Sequence, residues 1–108
     1  MLRIVLAALV ALVPLVAVAA DLPEYTLTIR DHHFVPAELT IPANTRIKLI
    51  VVNQDPTPEE FESHELNREK VVVGNGTISV YIGPLKPGRY PYFGDFHAAL
   101  AQGTLIAR

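Results

Sequence analysis

Strict alternation of side-chain character is the feature that most limits what this chain can fold into. Tyr25, Leu27 and Ile29 alternate with Thr26, Thr28 and Arg30, a period of two that places one set on each face of an extended strand. The β-branched run from Arg46 to Asn53 reads as a central strand. Shorter strand segments follow at Leu39–Ile41, Lys70–Val73, Thr77–Ile82, Arg89–Phe93 and Thr104–Ala107. Between them stand turn and loop signals: Pro42-Ala43-Asn44, Asp55-Pro56-Thr57-Pro58, Gly74-Asn75-Gly76 and Gly83 to Gly88. Glu59 to Leu66 is ambiguous between a strand and a turn-rich connector. From residue 21 onward no segment has helical periodicity, so about seven short strands predict an all-β sandwich.

The N-terminus belongs to a different regime. Arg3 precedes an apolar run from Ile4 to Val18 and the small pair Ala19-Ala20, the pattern of a secretory signal peptide. The run is nearly long enough to span a bilayer, but Pro14 interrupts it and small residues close it. We therefore expect a signal peptide at 1–20, cleaved at bond 19/20 or 20/21, and one domain at 21–108 working outside the cytoplasm. About 88 residues remain after cleavage, enough for a single core. Without Arg3, eight basic residues face eleven acidic ones. This balance offers no basic face for nucleic acid and no polybasic patch for anionic lipid.

The chain has no cysteine, which excludes thiolate nucleophiles, iron–sulfur clusters and thiolate-ligated copper. Four histidines and a concentrated set of carboxylates remain. Asp55, Glu59, Glu60, Glu62, Glu65 and Glu69 fall close together, alongside His64. Nitrogen and oxygen donors of this kind suit Cu(II), Fe(II) or Fe(III) and disfavour Cu(I). If Glu59 to Ser63 is extended, Phe61 faces the core with Glu59 and Ser63, and Glu60 and Glu62 share the opposite face. His97 lies in a loop between the last two strands, with Asp95 two residues away as a second ligand or an orienting partner. Asp31-His32 repeats that pairing, which favours His32 over His33. The candidate metal ligands are therefore His97, Asp95, Glu60, Glu62, Glu69 and His32. Ser63-His64 lacks the oriented third group of a hydrolase, and Gly74-Asn75-Gly76 lacks the helix that a phosphate-cradling loop requires.

Phe34-Val35-Pro36, Leu39-Thr40-Ile41-Pro42-Ala43 and Val51-Val52-Asn53 resemble the opening half of a cupredoxin. Gly88 to Phe93, His97 and Gln102-Gly103-Thr104-Leu105 resemble its closing half. The resemblance implies a single Greek-key β-sandwich. A blue-copper cupredoxin holds its metal with two His, one Cys and a weak axial Met. Here the first His falls near Glu59, the Cys at Gly94, the second His at His97 and the Met at Ala101. One ligand of four survives, so a blue-copper electron carrier is not expected.

Asp31-His32, the stretch from Asp55 to Ser63, Arg68-Glu69-Lys70 and Asp95-Phe96-His97 are similar to the cysteine-free cupredoxins of bacterial ferrous-iron uptake. That similarity implies copper or iron as the bound metal, and a membrane iron permease or another periplasmic uptake component as partner. Three functions follow as expectations: a metal-binding accessory protein, a ferroxidase acting on its own, and a metal-free interaction domain that kept the sandwich alone.

Overall fold

The computed structural model describes residues 3–14 and 21–108. Residues 3–14 form no regular element, and their apolar side chains are exposed. The rest of the expected signal peptide, with both candidate cleavage bonds, lies outside the described residues. Among those described, no helix is long and apolar enough to cross a membrane.

Among the described residues, nine strands build two sheets. They are β1 Glu24–Arg30, β2 His33–Val35, β3 Glu38–Ile41, β4 Ile47–Asn53, β5 Glu59–Ser63, β6 Arg68–Val72, β7 Thr77–Ile82, β8 Gly88–Gly94 and β9 Gln102–Ala107. One sheet has the order β2-β1-β4-β7 and the other β3-β9-β8-β5-β6. Only β1–β2, β5–β6 and β8–β9 connect within a sheet; every other connection crosses the sandwich. The pairs β1/β4 and β3/β9 are parallel, and the remaining pairs are antiparallel.

The excess over seven strands has two sources. β2 is only three residues long and carries too little alternation to register as a strand. The ambiguous stretch after Pro58 resolves into β5, because pairing with β6 on one side and β8 on the other satisfies its backbone. Period-two patterning sets the core. Ile47, Leu49, Val51 and Asn53 of β4 are buried with half-buried residues between them. Leu27, Ile29, Phe34, Phe61, Tyr92 and Leu105 fill the space between the sheets. Phe34 meets Tyr92 edge-on with ring centroids 5.0 Å apart, a favourable aromatic arrangement.

One end of the sandwich gathers the polar chemistry. The β1–β2 turn, the β4–β5 loop and a single 3₁₀ turn at Asp95–His97 meet there.

Candidate metal centre

The site begins with a buried charge. β5 alternates as expected, with Glu59, Phe61 and Ser63 inward and Glu60 and Glu62 outward. Glu59 is thus carried into the interior, 1% exposed. A buried carboxylate is tolerated only when hydrogen bonds replace its water. Here the amide of Glu60 donates to Oε1 at 3.0 Å and that of Phe96 at 2.8 Å. His97 Nδ1 lies 2.6 Å from Oε2, the short separation of a charge-assisted bond. All three donors come from chain next to the site, so the charge is fixed in place.

Two small residues make room for it. A Cβ on Gly94 would stand 2.6 Å from Glu59 Cδ and 2.7 Å from Ala101 Cβ. Glu59 therefore occupies the space that a side chain on Gly94 would take. The 3₁₀ turn is closed by the amides of Leu100 and Ala101, which donate to the His97 carbonyl at 3.0 and 2.8 Å. Gly94 N donates to Ala101 O at 2.8 Å and ties the loop to β8.

His32 arrives from the other sheet. Its ring stacks on His97 with centroids 3.6 Å apart and planes 13° apart. It sits in a two-residue turn with Asp31, and both residues have positive φ, 62° and 50°. Each such non-glycine conformation costs of order 1–3 kcal/mol and persists only where neighbours impose it. Asp55 is that neighbour. Oδ1 accepts from Asp31 N at 2.8 Å and Oδ2 from His32 N at 2.9 Å. Oδ2 is also 3.5 Å from His32 Nδ1. Burial opposes ionisation of Asp55, but the His32 and Asp31 amides and the two imidazoles outweigh it, and its pKa lies below the usual range.

Five of the six expected ligands separate into two groups. His32 and His97 join Glu59, with ligand atoms within 4.8 Å of one another. Glu60, Glu62 and Asp95 form a second group within the same limit on the outer face. Glu69 faces Glu62 across the β5–β6 pair. Asp95 does not turn toward the imidazoles, because three residues per 3₁₀ turn put positions i and i+2 on different sides. Loss of solvent, then the charges and shared hydrogen bonds of Glu69 and Glu62, push Glu60 up to about 7. His33 and His64 are exposed and join neither group.

Glu59 and Asp55 are the site residues that the sequence reading did not select. Glu59 was already placed inward by alternation, and a carboxylate in a core position is itself a signal of a partner. Asp55 had no comparable signal, since its partners lie 23 and 24 residues away.

The donor set suits a borderline or hard ion: imidazole and carboxylate, with no sulfur. As the rings stand, they cannot share one ion. Nearly parallel planes separated by a ring thickness direct their in-plane lone pairs past one another. A common ion requires one imidazole to turn, and half-exposed His32 has the freedom to do so.

A family model for the cupredoxin-like domain matches residues 2–107. An uncharacterized protein of Rickettsia prowazekii (strain Madrid E) is 52% identical over 83 residues, covering 77% of this chain and 66% of that protein. Among solved structures, auracyanin A, a "blue" copper protein from Chloroflexus aurantiacus, is similar with a TM-score of 0.69 at 16% identity. That match covers 79% of this chain and 98% of auracyanin A. The metal-binding domain of the Cu(I)-exporting P-type ATPase CopA of Streptococcus pneumoniae D39 is similar with a TM-score of 0.66 at 11% identity. It covers 79% of this chain and 84% of that domain. At these identities the structural likeness establishes the fold, and the sequence match establishes the kinship: the chain belongs to the cupredoxin-like domain family.

Proposed function

We propose that this protein is an exported, periplasmic metal-binding accessory of ferrous-iron uptake, holding copper or iron without a blue-copper centre. The observation that carries the reading is the buried Glu59 carboxylate bonded to His97 at 2.6 Å, beneath the His32 ring. A bound ion would be held by His97, Glu59 and His32. In that position it would supply a Lewis-acidic or one-electron redox centre. The oxygen and nitrogen donors favour Cu(II) over Cu(I), a different preference from that of the Cu(I) exporter domain with the same fold. Glu60, Glu62 and Asp95 form a separate, oxygen-only group on the outer face, with Glu69 opposite Glu62, and this group would suit a hard cation such as iron in transit. The membrane partner in this reading is an iron permease.

Metal binding requires a deprotonated carboxylate and neutral imidazoles. Affinity should therefore fall below about pH 6. An ion present at a hundred times its Kd should raise stability by about 2.7 kcal/mol.

A metal-free interaction domain is favoured by one specific observation: Glu59 and the stacked rings already satisfy one another without an ion. Native mass spectrometry with one equivalent of Cu(II), comparing the parent with His97→Ala and Glu59→Gln, separates the readings. A one-to-one complex lost in both variants supports the inner site. Equal retention in all three, or none in the parent, moves the interaction domain to first place. Turnover of Fe(II) with dioxygen by the isolated protein would make it a ferroxidase in its own right.

A further inference from the structure

The turn between β1 and β2 departs from local preference at its second central position. Arg30 pairs with His33, so Asp31 and His32 are the two central residues of a tight hairpin with positive φ at both. Such turns favour Asn-Gly or Asp-Gly, because the second position accommodates glycine without strain. This chain has a histidine there. An unfavourable backbone at an imidazole that lies on the candidate metal centre points to a role for that imidazole.

What holds the turn in this shape comes from elsewhere in the chain. Both Asp55 carboxylate oxygens are engaged by turn amides, one from Asp31 and one from His32. Asp55 is itself clamped. Its amide donates to Asn53 Oδ1 at 3.0 Å, and its carbonyl accepts from Asn75 N at 2.8 Å. Asn53 is buried and also donates to Thr57 O at 2.8 Å. The strained turn is therefore braced by a carboxylate that the β4–β5 loop presents rigidly. Among the described residues, Asp55 is the one side chain that bonds the amides of both central turn residues.

We propose that Asp55 is a positioning residue for metal binding: by holding both amides of the Asp31–His32 turn it fixes the backbone that keeps the His32 imidazole beside His97, stacked when no ion is bound and within a side-chain rotation of a shared ion, and it acts on the metal through His32. This rests on the reading of His32 and His97 as ligands. Carboxylates that orient ligating histidines typically change metal affinity by about 10- to 100-fold when removed, and an effect of that size is expected here.

The test uses the full chain as parent, Asp55→Asn, His32→Gly and the double variant. His32→Gly suits the turn and removes the imidazole. In the metal-free proteins, NMR reads the ring-current shifts that stacking imposes on the two imidazoles. With Cu(II), electron paramagnetic resonance counts coordinated nitrogens, and a competition titration gives affinity. Asp55→Asn is expected to lose the stacking shifts, drop from two nitrogens to one, and bind at least tenfold more weakly. The double variant should bind as His32→Gly does, since Asp55 has nothing left to position. Retention of the stack and both nitrogens in Asp55→Asn overturns the proposal, as do losses that add in the double variant. If Asp55→Asn does not fold, hydrogen exchange in the parent decides. Asp31 and His32 amides exchanging as slowly as those of β1 support the brace, and fast exchange overturns it. A parent that binds no Cu(II) sinks the metal reading itself, whereas a parent that binds while Asp55→Asn is unchanged sinks only the role of Asp55.

Discussion

Glu59 and Glu60 are adjacent residues of the same type on one strand, yet their environments are opposite. Glu59 points inward, where two amides and an imidazole meet its oxygens. Glu60 points outward, where Glu62 and Glu69 crowd it with like charge. The inner carboxylate is exchanged from water to fixed donors; the outer one loses water and gains repulsion. Burial alone therefore does not decide what a carboxylate contributes. The sign depends on what the neighbours offer.

Four substitutions would break or sharpen this contrast. The largest effect belongs to Gly94→Ala, whose added methyl must displace Glu59 and Ala101 from a packed core. Overpacking of this kind costs typically about 1–3 kcal/mol, and urea unfolding should place this variant near the upper end, with copper retention lost. If Gly94→Ala matched the parent in both respects, the inner carboxylate would not be held as tightly as its contacts imply. Next comes Glu59→Gln, which keeps the shape but exchanges a charge-assisted bond to His97 for a neutral one. Such bonds are worth about 1.5–3 kcal/mol, so a loss in the lower part of that range is expected by denaturant titration.

Asp55 should show a smaller, pH-dependent effect. Its pKa is depressed in the fold, so ionisation adds stability above the ordinary Asp range, about 3.9. That contribution disappears as pH falls through the lower folded value. The stability gap between parent and Asp55→Asn should thus be full at pH 7 and narrow in strong acid; a gap constant with pH would remove the ionic component.

Glu60→Gln should give the smallest change and the opposite sign. The folded protein holds a proton on Glu60 up to about pH 7, against an ordinary 4.5, so stability falls as pH rises through that window. Removing the charge should raise Tm at pH 8 and leave it unchanged at pH 4. A lower Tm at pH 8 would mean that the outer group is held by attraction rather than strained by repulsion.

The alternation of β1 and β4 made the sandwich legible, because period-two burial is a local property of the chain. The same rule correctly sent Glu59 inward and Glu60 and Glu62 outward before any contact was known. His97 was legible from its loop between the last two strands. His32 was selected for its acidic neighbour Asp31, yet the carboxylate that engages its amide is Asp55. β2 went unseen because three residues carry no measurable period. The separation of Asp95 from His97 was equally hidden, since the 3₁₀ turn that divides them has no clear signature in Gly94-Asp95-Phe96-His97.

The sequence by itself determined the all-β sandwich and most of its strands, the lack of cysteine ligands and the stock of imidazole and carboxylate donors. Each of these depends on residue identity and near-neighbour spacing alone. Only the tertiary structure decided which donors meet. His32, Asp55, Glu59 and His97 come from the β1–β2 turn, the β4–β5 loop, β5 and the 3₁₀ turn, and sheet crossovers bring them to one end. Hydrogen bonds spanning more than twenty residues are set by that topology, and no local periodicity encodes them.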